Sequence, residues 1–185
     1  MKGQAFLSFE HVVRAHFGEN AWEKVLTSTA TQLQEGLRSG AVLAIGWYPM
    51  DWYCQLHDGL ESVVGPEAAK VIGREGTRRD INMVFRWIMR MLPPETLMKQ
   101  APMVLGTYAR GCSLSARQER AGLYAVSFES TSPLVRGVWE EWAEGTRTFL
   151  EVSGASDVTA TIRSGGTHRA TRMQVAIAHR VRQTA

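Results

Sequence analysis

Cys112-Ser113-Leu114-Ser115-Ala116, followed by Tyr124-Ala125-Val126-Ser127-Phe128, is where the pattern of this chain changes. Up to Gly111 apolar residues recur at helical spacing, and in these two runs larger side chains alternate with small or polar ones. A strand sends successive side chains to opposite faces, so such alternation builds a sheet with one buried face. The charged stretch Arg117 to Arg120 reads as the turn of a hairpin. Further on, Val158, Ala160 and Ile162 alternate with threonines, and Met173, Val175 and Ile177 return after a loop from Ser164 to Ala170, which makes a second hairpin. Between the two, Leu134, Val135, Val138, Trp139, Trp142, Phe149 and Leu150 mark a helix expected to start at Ser132-Pro133 and stop before Gly154. The order predicts an α+β fold: a helical N-terminal part, then a small antiparallel sheet of two hairpins separated by a long helix, as a single ligand-binding-like domain over 1–185.

The helical part is punctuated by glycine and proline. Phe9, Val12, Val13, His16 and Phe17 share a face that closes at Gly18, and Asn20 with Glu23 reads as a capping box for a second helix whose buried face begins with Trp22, Val25 and Leu26. The stretch from Gly36 to Gly46 carries no clear period. Pro49 starts a helix through Trp52, Tyr53, Leu56 and Leu60 that ends at Gly65, and Pro66-Glu67 opens the longest helical signal, to Leu92. Its second half, Met83 to Leu92, is apolar on most sides apart from Asn82, Arg86 and Arg90, which is the mark of a central helix. Pro93-Pro94 ends it and begins another helix through Leu97, Met98, Met103, Val104, Leu105 and Tyr108 to Gly111, with Pro102 inside.

A length of 185 residues, with 44% hydrophobic and 21% charged, suits one globular domain with a substantial core. A net charge of +3 is too mild to mark a nucleic-acid-binding surface, and its excess sits in His168, Arg169, Arg172, Arg180 and Arg182, which read as a solvated basic segment. Cys54 and Cys112 lie far apart with no metal-ligand spacing and read as reduced, buried thiols of a cytoplasmic protein. Charged Glu10, Arg14 and Glu19 interrupt the start where a secretory leader would be apolar, and no apolar run reaches the ~20 residues that span a bilayer.

Motifs for catalysis are thin. His11 and His16 are five apart, off the spacing that aims two imidazoles at one metal, and His57-Asp58 are adjacent and read as surface residues. Ser113, Ser115, Ser127 and Ser130 lack a nucleophile elbow or a nearby histidine. Gly73-Arg74-Glu75-Gly76 lies within helical pattern without a phosphate-loop lysine, so its glycines read as close-packing positions. Asp51, Asp58, Glu61 and Asp80 form no pair that spacing alone would bring together. The expectation is a protein that is not an enzyme and uses neither metal nor cofactor.

Methionines 83, 89, 91, 98 and 103 supply adaptable apolar surface that suits either a core or an apolar ligand. Trp139 and Trp142, three apart on the late helix, read as a rim toward a ligand or a partner. The candidate pocket lining is Phe85, Trp87, Ile88, Met91, Leu105, Tyr108, Val126 and Phe128. Two roles follow. One is a non-enzymatic regulatory or signalling domain that binds an apolar small molecule between the long central helix and the sheet. The other is a protein-protein interaction or scaffold module, dimeric through helix faces, with no ligand.

The opening Met1-Lys2-Gly3, the phrase Phe17-Gly18-Glu19-Asn20-Ala21-Trp22-Glu23-Lys24-Val25-Leu26, the Tyr48-Pro49 helix start and the Leu92-Pro93-Pro94 junction resemble a paralogous family of myxobacterial proteins, over most of the chain. Through that family the chain is similar to the superfamily of haem nitric-oxide/oxygen-binding domains, vinyl-reductase-type small-molecule-binding domains and Bet-type subunits of Golgi tethering complexes. The resemblance implies a helix-covered antiparallel sheet enclosing a pocket. The haem-binding members use a histidine on the helix before the proline junction and a Tyr-x-Ser-x-Arg motif that holds the propionates. In this chain the motif falls on Phe128-Glu129-Ser130-Thr131-Ser132, where only the serine matches, and no histidine occurs between His57 and His168. The expectation is therefore a haem-binding-like fold with no haem. The metal-binding cysteine pattern of the vinyl-reductase-type domains is not visible either, and although the tethering subunits carry an acylated pocket cysteine, position alone does not transfer that role to Cys54 or Cys112.

Overall fold

Helical spacing and alternation sort the described residues, 1–81, 89 and 91–180 of a computed structural model, into seven helices followed and interleaved by four strands. The helical part comprises α1 (Gly3–Phe17), α2 (Glu19–Thr27), α3 (Thr31–Arg38), α4 (Met50–Val63), α5 (Ala68–Asp80) and α6 (Pro94–Tyr108). Strands β1 (Cys112–Arg120) and β2 (Leu123–Leu134) form the first hairpin, α7 (Arg136–Val152) follows, and β3 (Ser156–Gly165) and β4 (Ala170–Arg180) form the second. All pairings are antiparallel in the order β1-β2-β4-β3, so the hairpins join through their second strands. The α+β architecture expected from the change of period is the one observed.

One sheet face is covered. Tyr124, Val126 and Phe128 of β2 lie in register with Ile177, Val175 and Met173 of β4, and all six are at most 2% exposed. Against this face α7 lays Val138, Trp139, Trp142, Ala143, Phe149 and Leu150, the buried stripe that its spacing predicts. Among the described residues no helix is long and apolar enough to cross a membrane.

Several boundaries differ from the sequence reading. The capping box does not form: α2 starts at Glu19 behind Gly18, whose φ of 87° lets one residue end α1 and begin α2, and Glu23 pairs instead with Arg38. The long helix stops at Asp80, because Ile81 is extended; residues 82–88 and 90, and with them most of the proposed central helix, lie outside the described residues. The charged stretch to Arg120 belongs to β1, and the turn is Ala121-Gly122. Ser132 and Pro133 belong to β2 rather than to α7. The ladder is interrupted between Glu129 and Leu134, where a proline without an N–H does no harm.

The stretch from Gly36 to Gly46 holds the end of α3 and then a loop that caps α1. Gly46 and Ala44 carbonyls accept from the Gly3 and Gln4 N–H groups at 2.9 Å each, and the Tyr108 carbonyl accepts from Lys2 N–H at 2.7 Å. A Cβ on Gly3 would meet the Leu43 carbonyl at 2.0 Å, which gives the Met1-Lys2-Gly3 opening a packing reason. Helices α5 and α7 meet as tightly, with a Cβ on Gly73 placed 2.4 Å from the Glu141 carbonyl oxygen. Gly73→Ala is expected to lose about 1–3 kcal/mol in a urea unfolding titration, although alanine alone favours a helix by ~1 kcal/mol. A gain in stability would show that the two backbones are not in contact.

Candidate functional site

The close contact of α5 with α7 leaves a space beside it. A cavity of about 160 Å³ lies among α1, α5, α6, α7 and the covered face of β1 and β2. Phe9, Ile72, Leu105, Leu114, Phe128 and Phe149 supply much of its apolar wall. Phe128 and Trp142 form an aromatic corner, with ring centres 5.8 Å apart, and Trp139 backs Trp142 edge-on at 5.6 Å. Gly76 and Thr77 on α5 and Val104 and Leu105 on α6 are only partly buried, which places the mouth between these helices.

The polar part of the lining is built around two carboxylates. Asp80 is the last residue of α5, an end where the helix dipole disfavours an anion. Donors compensate. Ser8 Oγ donates to its Oδ1 at 2.5 Å and Gln4 Nε2 at 2.9 Å, both from one face of α1, and the Tyr108 hydroxyl also hydrogen-bonds Asp80. Glu141, on α7, accepts from the Tyr53 hydroxyl, 2.9 Å from each oxygen, and from His57 Nε2 at 2.6 Å. Tyr53 and His57 are one turn apart on α4 and so present both donors to α7. Gly137, one turn before Glu141, makes room for the imidazole: a Cβ there would lie 2.6 Å from His57 Nδ1. Because Nδ1 has no partner among the described residues, the hydrogen-bond pattern assigns the proton to Nε2.

Burial, reinforced by the Glu141 carboxylate, raises the Tyr53 phenol well above its ordinary pKa, and burial together with Asp80 raises that of Tyr108. Both hydroxyls are thus kept as donors to the carboxylates.

The residues expected to line a pocket are placed as follows. Leu105, Tyr108 and Phe128 line the cavity. Val126 is fully buried between Ala116 and Val175 of the neighbouring strands, on the covered face of the sheet but outside the lining. Met91 is 67% exposed; Met89 takes the inward direction at 2% exposure, and two residues further along a helix turn a side chain by about 200°. Phe85, Trp87 and Ile88 lie outside the described residues. Trp142 faces the cavity as a rim residue would, whereas Trp139 is wholly enclosed.

His57 is not a surface residue as expected: it is 2% exposed, packed edge-on against Phe9 and Tyr53. Asp80, set aside because no spacing paired it with another acid, reaches the same cavity as Glu141. The sequence signal for His57 was its i+4 relation to Tyr53. For Glu141 it was the acidic pair Glu140-Glu141 set between Trp139 and Trp142.

Neither cysteine lines the cavity. Cys54 is buried beside a second, more polar groove of about 360 Å³ bounded by α4, the end of β2 and the His168-Arg169 turn, and burial pushes its thiol up. Cys112 is half-buried, and both thiols are free. Among the described residues no group of acids, histidines and cysteines is arranged to hold a metal ion.

No family model and no curated protein matches the sequence. Solved structures do match the fold. The chain superposes on the Fe(II) unliganded H-NOX protein from K. algicida with a TM-score of 0.76 at 14% identity, covering 100% of both chains. An oxygen-binding H-NOX domain related to soluble guanylate cyclases, in its oxygen complex, gives 0.70 at 12% identity over 98% of this chain and 96% of that one. A structure that probes heme distortion in the H-NOX family gives 0.66 at 13% identity, over 100% and 98%. What is shared at these identities is the fold, an H-NOX-like α+β architecture.

That fold raises the question of haem, and the residues of this cavity do not fit one. Haem iron takes histidine, thiolate, methionine beside histidine, or tyrosinate. The described lining offers no histidine or cysteine, and its two tyrosines are held protonated by burial and by their carboxylate partners. It holds two acids and no arginine or lysine, the reverse of what propionates require. Its volume of about 160 Å³ is also below the ~300–1,000 Å³ of drug-sized sites.

Proposed function

We propose that this is a cytoplasmic, non-enzymatic regulatory domain that binds a small apolar molecule in the cavity among α1, α5, α6, α7 and the sheet, without haem. The observation that carries the reading is the cavity itself, about 160 Å³ with predominantly apolar walls and a few convergent polar groups. Engineered apolar cavities of ~150 Å³ in other proteins take up benzene, so the space suits a ligand of one ring. A structural neighbour is an oxygen-binding domain related to soluble guanylate cyclases, which supports ligand-linked regulation as the role. The Met1-Lys2-Gly3 opening and the Leu92-Pro93-Pro94 junction are the grounds for grouping the chain with the myxobacterial paralogous family. A dimeric scaffold fits less well. The large exposed apolar side chains among the described residues include Leu43, Ile45, Met91 and Met103, and none lies on α1 or α2.

Toluene is the direct probe. Titrated into the protein and followed by calorimetry or ligand-observed NMR, it is expected to bind saturably, and Leu105→Trp, which fills the mouth, is expected to abolish binding while leaving the melting transition in place. Protein from cells supplied with a haem precursor is expected to lack haem absorbance. Absence of saturable binding to the wild-type chain, or a haem band in the purified protein, would overturn the reading.

A further inference from the structure

The two carboxylates of the cavity differ from the other acids of the helices that carry them. On the outer faces of α5 and α7 the carboxylates meet arginines: Glu75 meets Arg74 and Arg78, Glu144 meets Arg74 and Arg147, Glu151 meets Arg78 and Arg147, and Glu140 meets Arg136. Asp80 and Glu141 do not. Among the described residues no lysine or arginine makes an ion pair with either, and their contacts are with the neutral donors Gln4, Ser8, Tyr53 and Tyr108 and with His57. No lysine or arginine is found in the described lining. Carboxylates drawn out of water and paired with no lysine or arginine among the described residues remain a concentration of negative charge, and each retains lone-pair directions beyond those in use. Burial raises both tyrosines, and the same negative field adds to it, with Glu141 acting on Tyr53 and Asp80 on both.

We propose, resting on the reading of the cavity as a small-ligand site, that its occupant is a protonated amine on a single-ring apolar body, with the ring between Phe128, Leu105 and Phe149 and the ammonium group at Asp80 and Glu141. Such a cation supplies the counter-charge that the described protein withholds and donates up to three hydrogen bonds. An anion of the same size meets two carboxylates and is repelled. A neutral ring gains only the apolar walls.

Three probes of matched size test this on the full-length wild-type chain at pH 7: benzylamine, toluene and benzoate, compared by calorimetry. Benzylamine is expected to bind about tenfold or more tighter than toluene, with benzoate undetected. Asp80→Asn and Glu141→Gln are each expected to erase most of the benzylamine advantage over toluene, because the charged part of the interaction is removed. The wild-type probe series decides the matter even if a variant folds poorly. Equal affinities for benzylamine and toluene, or preference for benzoate, would overturn the amine assignment and leave the apolar site standing. Failure of all three probes to bind would overturn the site itself, and the amine assignment with it.

Discussion

Trp139→Ala is expected to remove about 3–5 kcal/mol of unfolding free energy, the range for truncating a fully buried large aromatic side chain. Trp139 has no exposed surface, sits near the start of the buried α7 stripe, and backs Trp142, which with Phe128 forms a corner of the cavity. The loss combines transfer of the indole with the void left behind, since a helix tied to α5 at Gly73 has little freedom to collapse. Trp139→Phe should lose much less than truncation. The indole N–H has no hydrogen-bond partner among the described residues, so its removal also takes away an unsatisfied buried donor. With six tryptophans in the chain, unfolding is better followed by far-UV circular dichroism than by fluorescence. A loss below about 1 kcal/mol for the alanine variant would mean that α7 is not docked through this residue.

The fold was legible wherever one side of an element is buried and the other is not. Alternation at Tyr124, Val126 and Phe128, and the α7 stripe from Val138 to Leu150, each report a single covered face, and the register and helix phase follow from that burial. Boundaries were less legible because caps are settled by partners remote in sequence. Asn20 and Glu23 have the residue types of a capping box, but Gly18 in a left-handed conformation starts the helix sooner and Arg38 claims the glutamate. Ser132-Pro133 looks like a helix start and becomes strand because Leu134 pairs with Ala170. The loop between Gly40 and Gly46 has no period of its own, since its work is to offer carbonyls to α1.

The polar half of the candidate site was largely hidden for the same reason. Tyr53 and Glu141 are 88 positions apart, and Ser8 and Asp80 are 72 apart, so no local spacing relates them. The apolar half was partly visible, because Leu105, Tyr108 and Phe128 belong to faces that periodicity identifies as inward. His57 shows the boundary between the two cases. Adjacent to Asp58 it resembled a solvated pair, whereas its helical phase, one turn from Tyr53 and beside Leu56, already placed it on the buried face of α4.

Glu141→Leu tests whether these distant groups act as one unit. Removal of the carboxylate leaves the Tyr53 hydroxyl and His57 Nε2 without an acceptor, and both side chains are at most 2% exposed. Each stranded donor costs about 1–3 kcal/mol, so the variant is expected to lose ~3–5 kcal/mol in urea unfolding. Glu141→Gln, which retains one acceptor oxygen, should lose less. The informative comparison is the combination Glu141→Leu with Tyr53→Phe and His57→Phe. Once donors and acceptor are removed together nothing polar is left unpaired, and more than half of the single-variant loss is expected to return despite two further substitutions. Simple addition of the separate losses would instead mean that Tyr53 and His57 owe their positions to packing against Phe9 and Gly137 and contribute nothing specific through Glu141.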